Sequence, residues 1–173
     1  LSGDHQTGVT IVTLSPEFDE GNIIAQKKLP ITDKDFSDPL RTRLFELGST
    51  LLINALPALQ ASKDLVLQDE VLQGTAPTPY ARRLRREDGF EPWETIQKAC
   101  VDKKEATRID RKFRAFTPWP GLWTKVSEKR LKILACHVQP VTGELILDSV
   151  QLEGKNQVSY EQFQTAYLRG LDS

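Results

Sequence analysis

Val9-Thr10-Ile11-Val12-Thr13-Leu14-Ser15-Pro16-Glu17-Phe18-Asp19-Glu20-Gly21-Asn22-Ile23-Ile24-Ala25-Gln26 holds two β-branched, apolar runs on either side of an acidic turn. The runs 9–14 and 22–26 each read as a strand, because branched side chains favour the extended backbone. The residues between them, with a proline, carboxylates and a glycine, read as a loop. A helix is predicted downstream: Asp38 caps it, Pro39 takes its first position, and Leu40, Leu44, Leu47 and Leu51 recur at i, i+4, i+7 and i+11. It is expected to end near Leu56, before Pro57. Strand, loop, strand and long amphipathic helix place this region at the edge of an α/β sheet.

Of the 173 residues, 39% are hydrophobic and 27% charged, with ten Gly, ten Pro and a formal net charge of −1. Those values exclude disordered and collagen-like chains, and no apolar run approaches the ~20 residues of a membrane-spanning helix. No basic segment followed by an apolar one opens the chain, so a soluble, cytoplasmic protein without a membrane partner is expected. There is no Met and the first residue is Leu1, so the natural start is expected upstream and the chain reads as a fragment. Cys100 and Cys136 lack CxxC spacing, and His5 and His137 are too few for a zinc cluster. No metal is expected, and the thiols read as reduced and structural. Residues 103–173 carry 12 Lys/Arg against 8 Asp/Glu, residues 1–102 carry 11 against 16. An acidic front and a basic back suggest two units with different partners.

Gly74, Pro77, Pro79, Gly89 and Pro92 interrupt residues 73–104, and Arg82-Arg83-Leu84-Arg85-Arg86 crosses them, so this stretch reads as a linker with some helix. A helix is predicted from about Ala106 to Phe116, with Ile109, Phe113 and Phe116 on one face and Arg108, Arg111 and Lys112 mostly on the other. After Pro118-Trp119-Pro120-Gly121 come strands at 122–126, 131–138 and 144–152, the last with a bulge expected at Ser149, where alternation breaks. Ser159-Tyr160-Glu161-Gln162 is a capping-box pattern that opens a final helix. The expected division is 1–72, a linker at 73–104, and a small β-barrel-like module at 105–173.

Several of these stretches, in order, resemble one family. Thr7-Gly8-Val9-Thr10 and Phe18-Asp19-Glu20-Gly21-Asn22-Ile23-Ile24 are similar to the strand, loop and strand of the 10-formyltetrahydrofolate-dependent formyltransferases. Arg114-Ala115-Phe116-Thr117-Pro118-Trp119-Pro120-Gly121 resembles the helix-to-barrel junction of the methionyl-tRNA formyltransferase branch. Leu47-Gly48-Ser49-Thr50-Leu51-Leu52, Tyr80-Ala81, Arg86-Glu87-Asp88-Gly89 and Trp93 stand where that family has its last catalytic-domain helix and its linker. The resemblance implies half of a Rossmann-like formyltransferase domain followed by an OB-like barrel. It also implies formyl transfer from 10-formyltetrahydrofolate to initiator methionyl-tRNA, with folate and tRNA as partners of a monomer.

Of the family's catalytic Asn, His and Asp, the resemblance carries over only the Asp, onto Asp19. The Asn and His are expected before Leu1, and neither His5 nor His137 stands in the family's histidine motif. Ser15, Pro16, Glu17 and Phe18 are implied to line the pterin pocket. Pro16 stands where the family has an acidic residue and Glu17 where it has Gly, so those contacts are expected to differ in detail. The chain has only a turn between Val138 and Gly143-Glu144, so the barrel is expected to be shortened.

The family holds tRNA on basic linker and barrel surfaces, which points to Arg82, Arg83, Arg85, Arg86, Arg108, Arg111 and Lys112. A solvated helix face is the plain alternative for the arginine run, and Arg114 either joins the stripe or pairs internally. Trp119 reads as a packed aromatic, with an exposed stacking platform as the alternative. Two other functions stay open. Sugar-nucleotide formyltransferases and formyltetrahydrofolate hydrolases share the front motifs, and a non-catalytic RNA-binding module needs only the basic surface.

Overall fold

A computed structural model describes residues 1–14, 16, 21–61 and 81–168 of the chain. The chain divides into two units, Ser2–Ala81 and Arg82–Ser173.

In the first unit, β1 (Gln6–Val12) and β2 (Ile23–Pro30) pair antiparallel, with Gln6 opposite Pro30 and Val12 opposite Ile23. Helix α1 (Ser37–Ala61) packs across both strands. The leucine stripe read from sequence faces the hairpin, and the small core is Ile24, Ala25 and Ala55, with Ile11, Leu51 and Leu59 packed against it. Asp35 fastens the helix to the sheet: it accepts from the backbone N–H of Thr32 at 2.8 Å and from Arg43, whose other terminal nitrogen donates to the Pro30 carbonyl. The helix runs through Pro57 instead of stopping at Leu56. The proline deprives only the Ile53 carbonyl of a partner, and Ile53 is exposed, so water can serve that group. Among the described residues this unit shows one antiparallel pair and one helix, a mixed α/β arrangement.

The acidic loop springs from a closed base. Thr13 donates its backbone N–H to the Asn22 carbonyl, and Asn22 donates to the Thr13 hydroxyl, both at 2.9 Å. Gly21 sits so close to that pair that a Cβ there would lie 1.7 Å from the Thr13 carbonyl oxygen. Gly21→Ala is therefore expected to force the base apart and destabilise the unit by about 2 kcal/mol or more. Faster hydrogen exchange at Ile11 and Val12 would register the opening, and unchanged protection there would contradict it.

The second unit begins with a 3-10 turn (Arg86–Gly89), then α2 (Trp93–Ala99) and α3 (Lys103–Phe116). Asp102 caps α3, its carboxylate accepting from the N–H groups of Lys104 and Glu105 at 2.8 and 3.2 Å. Part of the stretch read as linker is thus core: Ile96 and Ala99 are fully buried, and residues 82–104 belong to the same folded unit as residues 105–173.

Strands β3 (Leu122–Val126), β4 (Lys129–Val138), β5 (Leu145–Leu152) and β6 (Gln157–Ser159) form an antiparallel meander in that order. Inward residues alternate with outward ones, and α3 and α4 (Tyr160–Phe163) cover the inner face. Ile109, Phe113, Phe116, Leu122, Leu131, Leu145, Val150 and Phe163 make the core. The irregularity expected at Ser149 is present, but it is shared. Leu134 is the extra residue on β4, Asp148 the extra one on β5, and register is restored by Cys136 opposite Leu147. The Ser159 capping box forms as read, with reciprocal 3.2 Å bonds between Ser159 and Gln162.

Among the described residues the sheet is open, with β3 and β6 as its edges, and does not close into the OB-like barrel expected from sequence. The reason lies in the short connection at 139–144, a turn closed by Gln139 N–H to Glu144 C=O at 2.9 Å, which leaves no room for a further strand.

Candidate functional site

Two sets of residues were singled out from sequence, and they differ in how the structure treats them. Of the front set, Asp19, Ser15, Glu17 and Phe18 lie outside the described residues. Pro16 is exposed, and the closed base at Thr13 and Asn22 fixes where the loop begins and ends. No group of three or more His, Cys, Asp or Glu that could hold a metal occurs among the described residues.

The basic set falls wholly in the second unit and divides by what each cation already holds. Arg82 grips Asp88 with two nitrogens, at 2.9 and 2.5 Å. That contact, helped by the Arg85 backbone N–H at 2.6 Å, holds the Asp88 carboxyl down at about 2. Arg108 makes a bidentate pair with Glu91, both distances 2.9 Å, and also donates to Glu105. Lys112 donates to Glu91 and to the Phe90 carbonyl, each at 2.7 Å. Arg114 pairs internally with Asp110 at 2.8 Å. Arg83, Arg85 and Arg86 are exposed and Arg111 is half-buried on α3.

Glu91, missed in the sequence reading, is the centre of this arrangement. It is only 7% exposed, and its own N–H donates to the Trp123 carbonyl at 2.9 Å. Burial pushes its carboxyl up, but the hydrogen bonds from Arg108 and Lys112 outweigh burial and leave it below the ordinary glutamate value. Two cations on one face of α3 are the sequence signal for such an anion, although nothing in the spacing says which carboxylate it is.

Trp119 is 56% exposed, so the packed reading is corrected. It lines a cavity of about 370 Å³ together with Arg86, Trp123, Arg130 and Lys132. The last three escaped the sequence reading. The alternation in Lys129-Arg130-Leu131-Lys132, which sets Arg130 and Lys132 on one face of a strand, was the available clue.

The thiols stay free, and burial raises both above the ordinary range. His137 pairs with Asp148 at 2.8 Å on the sheet surface. Among the described residues no helix is long and apolar enough to cross a membrane.

Residues 1–56 match the formyl transferase family model, and residues 97–144 match the model of the formyl transferase C-terminal domain. The methionyl-tRNA formyltransferase of Moorella thermoacetica is 32% identical across 98% of this chain and 56% of its own length. That of Anaeromyxobacter sp. strain K is 34% identical across 76% of this chain and 38% of its own. The chain thus spans about two fifths to a little over half of these relatives. Among solved structures, HypX from Aquifex aeolicus superposes with a TM-score of 0.56 at 16% identity, covering 97% of this chain and 32% of HypX. Methionyl-tRNA formyltransferase from Clostridium thermocellum gives 0.53 at 16%, covering 87% of this chain and 57% of that one. With both halves matched in family order and relatives aligned over most of its length, this chain belongs to the formyl transferase family.

Proposed function

We propose that the chain is the C-terminal portion of a methionyl-tRNA formyltransferase, which moves a formyl group from N10 of 10-formyltetrahydrofolate to the α-amine of initiator methionyl-tRNA. The observation that carries this reading is the match of both family models, in order, along a chain whose relatives of that name align over up to 98% of it. Attack of an amine on a formyl carbon builds an oxyanion and an ammonium together, so the site needs a donor for oxygen and a route for the proton. Asp19 serves by holding the family's histidine charged and donating. Ser15, Pro16, Glu17 and Phe18 line the pterin pocket, and the Asn and His come from residues before Leu1.

Arg83, Arg85, Arg86 and Arg111 meet tRNA phosphates. Arg82, Arg108 and Lys112, tied to carboxylates, add charge while holding the surface in shape. Residues 1–72 act as the second half of a Rossmann-like domain. The open meander within 105–173 takes the place of the family's barrel, and 73–104 joins the two while folding in part with the latter. The enzyme works as a cytoplasmic monomer without a metal.

The test is a formylation assay on the complete gene product. Formyl transfer to initiator methionyl-tRNA is expected, competed by uncharged initiator tRNA and not by an amino-sugar nucleotide. An amino-sugar nucleotide as the better acceptor, or a gene with no upstream Asn and His-Pro-Ser segment, would overturn the reading. The 173-residue chain alone is expected to give no turnover.

A further inference from the structure

The cavity beside Trp119 shares Arg86 with the arginine run, but its other lining residues have no part in the proposed formyl transfer. Its volume of about 370 Å³ falls in the range of small-molecule sites. The charged side chains lining it are all cations, Arg86, Arg130 and Lys132, with no carboxylate among them. Its aromatic walls are Trp119, with more than half its surface open, and Trp123.

The two indoles have different duties. Trp123 is fixed: its ring N–H donates to the Arg86 carbonyl at 2.9 Å, and Phe90 packs on it with centroids 4.9 Å apart. The Arg130 guanidinium lies over the same ring, 4.7 Å from its centroid, which holds a cation at the cavity wall. The buried Arg130 Nε has no hydrogen-bond partner among the described residues. Trp119 presents a flat ring, and a ring face accepts any base.

The geometry points to a nucleotide site: a base stacks on Trp119 while its phosphate meets Arg130 and Lys132, with Arg86 at the rim. The occupant is a single nucleoside phosphate unit, either free or an unpaired nucleotide of an RNA strand. The site stands on these residues alone and does not require formyl transfer, so it can fail or hold independently of the proposed reaction.

The probes are GMP, an unstructured RNA tetramer and ribose 5-phosphate, titrated into the 173-residue chain and followed by tryptophan fluorescence and competition. Saturable binding of GMP or the tetramer is expected, with affinity reduced at least about fivefold in Trp119→Ala and in Lys132→Glu. The exposed positions of both side chains predict unchanged melting of the variants. Lys104→Glu, on α3 away from the cavity lining, is expected to leave binding as it was. A tetramer that binds more than tenfold tighter than GMP identifies an RNA segment as the source, and comparable affinities identify the free nucleotide. Absence of saturable binding by both, binding by either cavity variant as tight as that of the parent chain, or ribose 5-phosphate as good a ligand as GMP overturns the proposal.

Discussion

Glu91→Ala is expected to cost the second unit about 3 kcal/mol of stability, the low end of what removing one partner of a buried ion pair costs. Its carboxylate receives three hydrogen bonds from two cations, Arg108 at 2.9 Å twice and Lys112 at 2.7 Å. Without it, Lys112, only 14% exposed, keeps the Phe90 carbonyl and a distant contact with the Phe116 ring, and faces Arg108 with no anion between them. Arg108 is 47% exposed and retains Glu105, which is why the loss falls at the low end. Trp93, Trp119 and Trp123 all lie in this unit, so denaturant unfolding followed by their fluorescence reports it selectively. A loss under about 1 kcal/mol would mean that the network adds little beyond a surface pair.

The same carboxylate sets a sign for pH. Because hydrogen bonding from the two cations overcomes burial and depresses its folded-state value, Glu91 contributes stability above the ordinary glutamate value of 4.5. That contribution drains away as pH falls through the folded value. Asp88, held at about 2, adds a slope of its own at still lower pH. The Glu91 share is therefore the difference between the parent chain and Glu91→Gln, and the parent should lose stability more steeply below pH 4.5. Parallel curves would contradict the pairing.

Local patterns carried much of this fold. The α1 leucine stripe, the face of α3 with Ile109, Phe113 and Phe116, the strand at 122–126 and the Ser159 capping box depend on neighbours within one element, and each stands as read. What escaped depends on distant partners. Residues 73–104 read as linker because Gly74, Pro77, Pro79, Gly89 and Pro92 interrupt them, yet within that stretch Glu91 is buried against cations 17 and 21 positions later. Arg108 and Lys112 read as part of a basic stripe for tRNA because the carboxylate they hold lies so far back in the chain. Gly89 itself is legible only in three dimensions, where a Cβ would lie 1.9 Å from the Gly121 carbonyl oxygen. The cavity beside Trp119 joins residues from the 3-10 turn, the proline-flanked junction and β4, a meeting that no sequence period encodes.

Asp19→Asn, made in the complete gene product, is expected to lower kcat/KM for formyl transfer by about 10²- to 10⁴-fold, the range for losing an acid–base group or the residue that orients one. Asparagine keeps the size and one acceptor oxygen but not the charge. On the proposed reading, the charge is what keeps the family's histidine cationic as the oxyanion forms. Since that interaction gains strength only as charge develops, kcat should carry most of the loss while KM for tRNA and folate moves little. Folding should be untouched, because the loop's closed base is made by Thr13 and Asn22 and needs no carboxylate. Gly21→Ala is the contrasting case: it strikes that base, and activity and protection of β1 should fall together. Retention of activity within about threefold in Asp19→Asn would remove the aspartate from the mechanism. A matching loss of thermal stability would reassign it to holding the loop.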